Sequence, residues 1–386
     1  MRDENLRQFA TERQWEVLEA YWEHGSERKA AQALGVHHSF VAHVKRTVLR
    51  RAAKQGYAPQ YDLTHKIPDG WQLKGTSTLY DQDGKPIQQW VKTTRDQERL
   101  AEFERVAAEA FASELPRETP IPAPAPGCES LLAVYPVGDH HFGMHAWHED
   151  AGGDYDLKIA ERLLFGAFDH LTNAVPPAGT ALIPFLGDFM HYDSMVPVTP
   201  TNRNQLDADS RFGKMVRYSI RGIRYAIKSA LLRHNRVRVI VEIGNHDLAS
   251  SVFLMEALAN IYENEPRVTV DTSPAQVHYF EFGKNLIGTH HGHKIKLERL
   301  PLIMAADRPE AWGRTLHRYW YTGHVHERRV HDAGAAGLAE SFRVLGPTDA
   351  WAQTEGYRSM RGMMALVLHK EHGEVARYTV NPDMLS

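Results

Sequence analysis

Sulfur is nearly absent from the chemistry this chain can do. Cys128 is the only cysteine in 386 residues. That excludes an internal disulfide framework and any cysteine-based zinc site, and it suits a reducing cytoplasm. No apolar run reaches the roughly 20 residues that a membrane-spanning helix needs. The opening Met1-Arg2-Asp3-Glu4 lacks the basic start and apolar core of a signal peptide. The expectation is a cytoplasmic chain without membrane contact. Charge of one sign is also lacking: the net value is −3. Global charge therefore points to no polyanion, and any nucleic-acid surface must be local. Histidine, by contrast, is plentiful, with 23 in the chain.

Five short blocks concentrate the metal-friendly residues: Asp139-His140-His141, Gly187-Asp188, Gly244-Asn245-His246-Asp247, His291-Gly292-His293 and Gly323-His324-Val325-His326. Each follows an apolar run that reads as a β-strand: Leu131–Val137, Ala181–Leu186, Val237–Ile243, Leu286–Gly288 and, more weakly, Tyr319–Tyr321. Helices are expected between them over Leu157–Asn173, Leu206–His234, Val252–Tyr262 and Lys296–Ala305, with further strands from Phe342 to Thr379. The pattern is an α/β or mixed α+β architecture with its functional groups at the carboxyl ends of strands.

In Asp-x-His, alternate residues of an extended segment share a face, so Asp139 and His141 can chelate one ion together. His324 and His326 repeat the arrangement. Asp188, in the tight turn that Gly187 permits, suits a carboxylate bridging two cations. Asn245 offers a neutral oxygen. Oxygen and nitrogen ligands without sulfur favour manganese, with iron and zinc as the other candidates, over calcium. Two adjacent divalent ions are a device for cleaving phosphate esters through a bridging hydroxide. His246 can protonate the leaving oxygen or stabilise charge on the phosphate, and Asp247 beside it is grouped with it as a catalytic candidate.

With these blocks in view, residues 131–330 resemble the calcineurin-like metallophosphoesterase superfamily. The resemblance implies a two-sheet αββα sandwich with a dinuclear site at the strand ends. It also implies one metal on Asp139, His141, Asp188 and His326, and another on Asp188, Asn245, His291 and His324. His291 is preferred to His290 because it begins the His-Gly-His run; His140 reads as structural or as backing a ligand. The protein phosphatases of that superfamily carry an aspartate three residues after the bridging one, followed by arginine. Here that position is His191, followed by Tyr192. A histidine there, and Phe142-Gly143 after the first block, resemble the DNA-repair exonuclease branch, in which His191 would help position substrate.

Ahead of the blocks, the chain divides by composition. Residues 1–56 read as a small helical domain with a helix-turn-helix: helices over Glu12–Glu23, Glu27–Leu34 and Ser39–Lys54, broken by Gly35. The third carries Lys45, Arg46, Arg50, Arg51 and Lys54, and no acidic residue lies between Glu27 and Asp62. That favours DNA contact. Residues 57–115 read as a hairpin and an amphipathic helix over Arg95–Leu115. Residues 116–128, with alternating prolines, read as a stiff linker, and 129–386 as the metallophosphoesterase-like domain. A second basic stripe, Lys214, Arg217, Arg221, Arg224 and Lys228, recurs at helical spacing and suits a phosphate backbone. The expected activity is a metal-dependent nuclease on DNA, of a kind suited to phage or prophage DNA metabolism. The alternatives are a phosphodiesterase for nucleotides or small phosphodiesters, and a non-catalytic DNA-binding regulator. Oligomeric state is not readable.

Overall fold

The computed structural model describes residues 2–54, 57, 71–81, 86–95, 117–201, 203–349, 353–356 and 358–385. They fall into two compact units, Met1–Leu100 and Ala101–Ser386. The expected helix over Arg95–Leu115 lies almost entirely outside the described residues.

The first unit opens with three helices: α1 (Glu12–His24), α2 (Glu27–Ala33) and α3 (His38–Lys54). Thr11 and Gln14 form a reciprocal capping box at the start of α1. Ser26 caps α2. Gly25 and Gly35 end the two helices at φ 69° and 66°, backbone that glycine adopts without steric cost. Val41, Val44 and Val48 of α3 are buried with Leu18, Ala30 and Ala31, so the helices share one core. A hairpin, β1 (Trp71–Tyr80) with β2 (Pro86–Arg95), follows in antiparallel register.

The second unit is a sandwich of two sheets. One has six strands: β3 (Cys128–Val134), β4 (Ala178–Phe185), β5 (Arg236–Val241), β6 (Val268–Val270), β12 (Met363–His369) and β13 (Gly373–Val380). Their order is β13-β12-β3-β4-β5-β6, parallel from β3 to β6. The other has β7 (His278–Phe282), β8 (Asn285–His290), β9 (His317–Thr322), β10 (Arg329–Asp332) and β11 (Leu338–Ser341), in the order β10-β11-β9-β8-β7.

Period-two alternation explains the layering. Leu132 and Val134, Leu182 and Leu186, Ile240, and Leu366 and Leu368 pack between the sheets against Ile287, Tyr321 and Phe342. Their neighbours Ala133, Ile183, Val239 and Val367 face the opposite way, onto α4 (Leu157–Ala174) and α5 (Phe212–Leu231). On the far sheet Leu286 and Trp320 face Leu300 and Met304 of a further short helix, Leu300–Asp307. Helices thus cover both outer faces, the αββα class expected. Helix α6 (Leu248–Ile261) follows the third block.

Helix α5 starts six residues later than the periodicity predicts. Met144 pairs with Ala208 and Val198 with Gln205 as isolated bridges, and Asp209 accepts the Leu157 N–H at 3.1 Å. These bonds hold 205–209 extended. Residues 117–127, expected as linker, lie along the large unit. The Glu118 N–H donates to the Ile261 carbonyl at 2.8 Å, the Ile121 N–H donates to Glu265 at 2.8 Å, and Arg267 donates to the Ile121 carbonyl at 2.7 Å.

Inside the sandwich, buried Glu242 and His278 pair at 2.9 Å, and the other ring nitrogen of His278 donates to the Ser273 carbonyl at 3.0 Å. Burial lowers the imidazole's affinity for its proton, but Glu242, helped by Asp271, more than offsets this and lifts His278 to about 8. A raised folded-state pKa contributes stability that is complete below the unfolded value of 6.5 and disappears as pH rises through about 8. The contribution is about 2 kcal/mol. The unfolding free-energy advantage of wild type over His278→Gln is expected to shrink by about 2 kcal/mol between pH 6 and pH 9. Urea unfolding measures it; a gap constant with pH would contradict the pairing.

Candidate metal centre

The five blocks meet at one end of the sandwich. β3 and β4 run in parallel, and their ladder continues past the strands. Val137 bridges Phe185 and Phe142 bridges Met190, while the His141 N–H donates to the Asp188 carbonyl at 3.1 Å. Blocks one and two are therefore held side by side. Blocks four and five leave the parallel neighbours β8 and β9, and the Gly323 N–H donates to the His291 carbonyl at 2.9 Å.

Backbone strain concentrates here. Among the described residues, five non-glycine positions have positive φ: His141, Asp188, Arg203, His324 and His326. Four of the five are candidate ligands. Left-handed backbone costs a side-chain-bearing residue on the order of 1–3 kcal/mol and persists where the surroundings enforce it. Two glycines make room for carboxylates: a Cβ on Gly244 would collide with the Asp188 carboxylate, and one on Gly323 with that of Asp139. Gly187 likewise leaves room for the His291 ring, so the glycines of three blocks each make space for another block's ligand.

Two groups of donors converge closely enough to hold a cation: Asp139, Asp188, His291 and His324, and Asp139, His141 and His326. Asp139 belongs to both, whereas Asp188, the expected bridge, belongs to the first. Asp188 nonetheless faces both halves. Burial opposes its charge, but His291, His246 and His141 outweigh that and hold it well below the usual carboxylate range. Asn245 completes the first group from outside, its Oδ1 2.9 Å from Nε2 of His291.

The ring orientations suit ligation. Nδ1 of His291 donates to the Leu186 carbonyl at 2.8 Å. That fixes the ring orientation and turns Nε2 toward Asp188 Oδ2, 3.1 Å away. His141 faces two ways: Nε2 lies 3.3 Å from Nε2 of His326, and Nδ1 lies 3.2 Å from Nδ1 of His191. A neutral imidazole has one N–H. With Nε2 as ligand, the proton sits on Nδ1 and points at His191. His191 is buried, and burial together with His246 pushes it down to about 3. It therefore backs His141 as a neutral acceptor. His141, His191 and His246 also form a third convergent group.

His246 is half-buried at the rim. Its backbone N–H donates to Asp188 Oδ1 at 2.7 Å, and its Nδ1 to the His191 carbonyl at 2.8 Å. Nε2 is the ring nitrogen that this bond leaves over. Asp247 is turned away. Its two oxygens accept the N–H groups of Asp188, Phe189, Met190 and Gly244 at 2.8–3.2 Å. Burial and the nearby Asp188 raise it to about 7. It shapes the loops that carry Asp188 and Asn245. Of the unselected histidines, His140 is buried on the Ala160 carbonyl at 3.0 Å. His290 accepts the Gly292 N–H at 2.8 Å, outside the convergent groups.

Asp193 carries a role that spacing does not reveal. It accepts the Ala249 and Ser250 N–H groups at 2.6 and 2.9 Å, so it caps α6 from across the site. The loop with His191 is thereby tied to the helix that follows His246. A residue 57 positions from its partner leaves no local pattern to read.

The basic candidates divide. In α3, Lys45 contacts Glu27 at 3.2 Å and Tyr21 at 3.1 Å. Arg51 donates to the Phe9 carbonyl at 2.8 Å and to Gln14 at 3.3 Å. Both serve the helical core; Glu27 compensates a field that looked uncompensated. Arg46 and Arg50 are exposed, and the Lys54 side chain lies outside the described residues. In α5, Arg221 pairs with Glu161 at 2.6 Å and Arg224 pairs with Glu118. That leaves Lys214, Arg217 and Lys228 of the stripe.

No protein-family model and no curated protein matches the chain. Among solved structures it is similar to a conserved uncharacterized protein of Streptococcus pneumoniae TIGR4, described as a predicted phosphoesterase. The identity is 10%, over 66% of this chain and 100% of that one, with a TM-score of 0.27. It is also similar to a single mutant of Vps29 from Entamoeba histolytica, at 14% identity over 64% and 99% of the chains, TM-score 0.26. A third likeness is to PhoD, at 11% identity over 68% and 72%, TM-score 0.31. No helix among the described residues is long and apolar enough to cross a membrane.

Proposed function

We propose that the second unit is a metallophosphoesterase that hydrolyses phosphodiester bonds with two divalent cations, and that its substrate is nucleic acid, DNA first. One observation carries the reading: two carboxylates and four imidazoles converge at the ends of four strands, in loops whose backbone is strained at the ligand positions themselves. Strain that the surroundings enforce at a ligand cluster is characteristic of functional sites. Asp139, His141 and His326 would hold one cation and Asn245, His291 and His324 the other, with Asp188 between them. Manganese suits this oxygen-and-nitrogen set, with iron or zinc also compatible.

When bound, such a pair supplies an activated water and charge stabilisation for both the attacking and the leaving oxygen. The chain's own part is positional. Leu186 and His191 orient His291 and His141. Asp247 holds the loops of Asp188 and Asn245 together. His246, whose Nδ1–H is held by the His191 carbonyl, can give a proton from Nε2 to the leaving oxygen in its doubly protonated form.

The helical module supports a DNA substrate through Arg46 and Arg50 on α3, with Arg28 and Lys29 on α2. Removing Arg46 or Arg50 is expected to weaken binding of duplex DNA and to lower the salt slope by about one each. Lys45→Ala is expected to lower thermal stability and leave the slope unchanged. Fluorescence anisotropy at several salt concentrations measures this, and a slope indifferent to Arg46 and Arg50 would contradict DNA contact by this face. The neutralised Arg221 and Arg224 favour a second reading, in which the centre takes a nucleotide or small phosphodiester and the module only localises it. Cleavage of linear and circular DNA beside a dinucleotide decides between them. Cutting the circle marks an endonuclease, trimming of ends an exonuclease, and turnover of the dinucleotide alone the second reading.

A further inference from the structure

Asn245 and His291 approach to 2.9 Å, yet they leave different sheets. Asn245 follows β5 of the six-stranded sheet, and His291 follows β8 of the five-stranded one. No backbone ladder joins these strands, so something else must set the distance between their ends. Three residues before Asn245 stands Glu242; two before His291 stands Thr289. The Thr289 hydroxyl donates to Glu242 Oε1 at 2.5 Å, and His278 of β7 donates to the same oxygen at 2.9 Å. The Glu242 N–H donates to the Phe185 carbonyl at 2.8 Å, at the end of β4. All three side chains are buried.

We propose that the Glu242–His278–Thr289 cluster is a positioning device: it sets the separation of Asn245 and His291 and thereby the affinity of the half-site they form with His324. The inference rests on the two-cation reading above and adds residues that touch neither cation. Three observations carry it. The cluster joins three strand ends, β4, β5 and β8, each of which delivers a candidate ligand. Its bonds are directional, whereas the surrounding apolar contacts of Leu186, Ile240 and Ile287 allow the sheets to slide. A buried ion pair is moreover a poor way to gain net stability, since well-packed apolar side chains of similar volume do as well or better. Geometry is what the charged pair provides that an apolar trio would not. Oε2 of Glu242 has no partner among the described residues, so the carboxylate is held through one oxygen, and loss of either donor frees it to turn.

The test is a titration of metal-free protein with Mn2+, counting bound ions and fitting two constants. Wild type is expected to bind two. Thr289→Val and Glu242→Gln are expected to weaken the second constant about 10- to 100-fold, the usual effect of removing a residue that supports a ligand. The first constant is expected to stay within about twofold of wild type. Thr289→Ser restores the hydroxyl and is expected to restore the second constant. A triple replacement, Glu242→Met with His278→Leu and Thr289→Val, removes the charges and the hydroxyl together and guards against simple unfolding; its melting temperature should stay near wild type while the second ion stays weak. Folded variants whose two constants fall equally, or do not fall, would overturn the positioning role. A wild-type chain that takes up no second ion would overturn the two-cation reading, and this inference with it.

Discussion

Asp188→Asn is expected to bind neither cation tightly and to lose phosphodiester hydrolysis. The carboxylate sits between His291 and the His141 side of the centre, and its second oxygen also accepts the His246 N–H. An amide keeps the volume but removes the charge that both half-sites share. Residues that merely back a ligand cost about 10- to 100-fold in affinity or activity, so the loss here should exceed that. The fold should survive, because the neighbouring backbone is held by Asp247 rather than by Asp188. Elemental analysis of the dialysed variant beside its rate on a chromogenic phosphodiester measures both effects. Retention of two ions with normal turnover would show that Asp139, the carboxylate common to both convergent groups, is the real bridge.

His246→Ala separates proton transfer from metal binding. Its ring is fixed by the His191 carbonyl, and its backbone N–H, which alanine keeps, is what touches Asp188. The variant is therefore expected to hold both cations and to lose about 10²- to 10⁴-fold in rate, the range for a positioned general acid. The loss should be smallest for substrates with good leaving groups, which need no proton. An equal loss on good and poor leaving groups would assign His246 to binding the phosphate instead. The same variant controls for contaminating nuclease, since residual cutting at the wild-type rate would not belong to this chain.

How much of this was legible depended on the range of the interactions. The five blocks were readable because each is local: a strand, a tight turn and ligands within four residues. The three N-terminal helices were readable for the same reason, as Thr11, Ser26, Gly25 and Gly35 punctuate them. What escaped was set across the chain. His191 looks like a substrate contact three residues past Asp188, but the fold turns its ring behind His141. Asp247 looks catalytic beside His246, but its oxygens meet backbone N–H groups 57 to 59 positions away as well as Gly244. Lys45, Arg51, Arg221 and Arg224 read in sequence as a basic surface, but their partners Glu27, Phe9, Glu161 and Glu118 come from other elements. A stripe of like charge on one helix says nothing of what the neighbouring helix brings to it. The Glu242–His278 pair is the extreme case. Two polar residues in apolar runs read as interruptions until two sheets are stacked.

The most direct measurement of the central claim is the number of cations bound per chain, taken together with phosphodiester turnover as the ions are added one equivalent at a time. The account predicts uptake of two Mn2+ per chain, with hydrolysis appearing only as the second site fills. Turnover that is complete with one ion, or a chain that binds fewer than two at saturation, would contradict it.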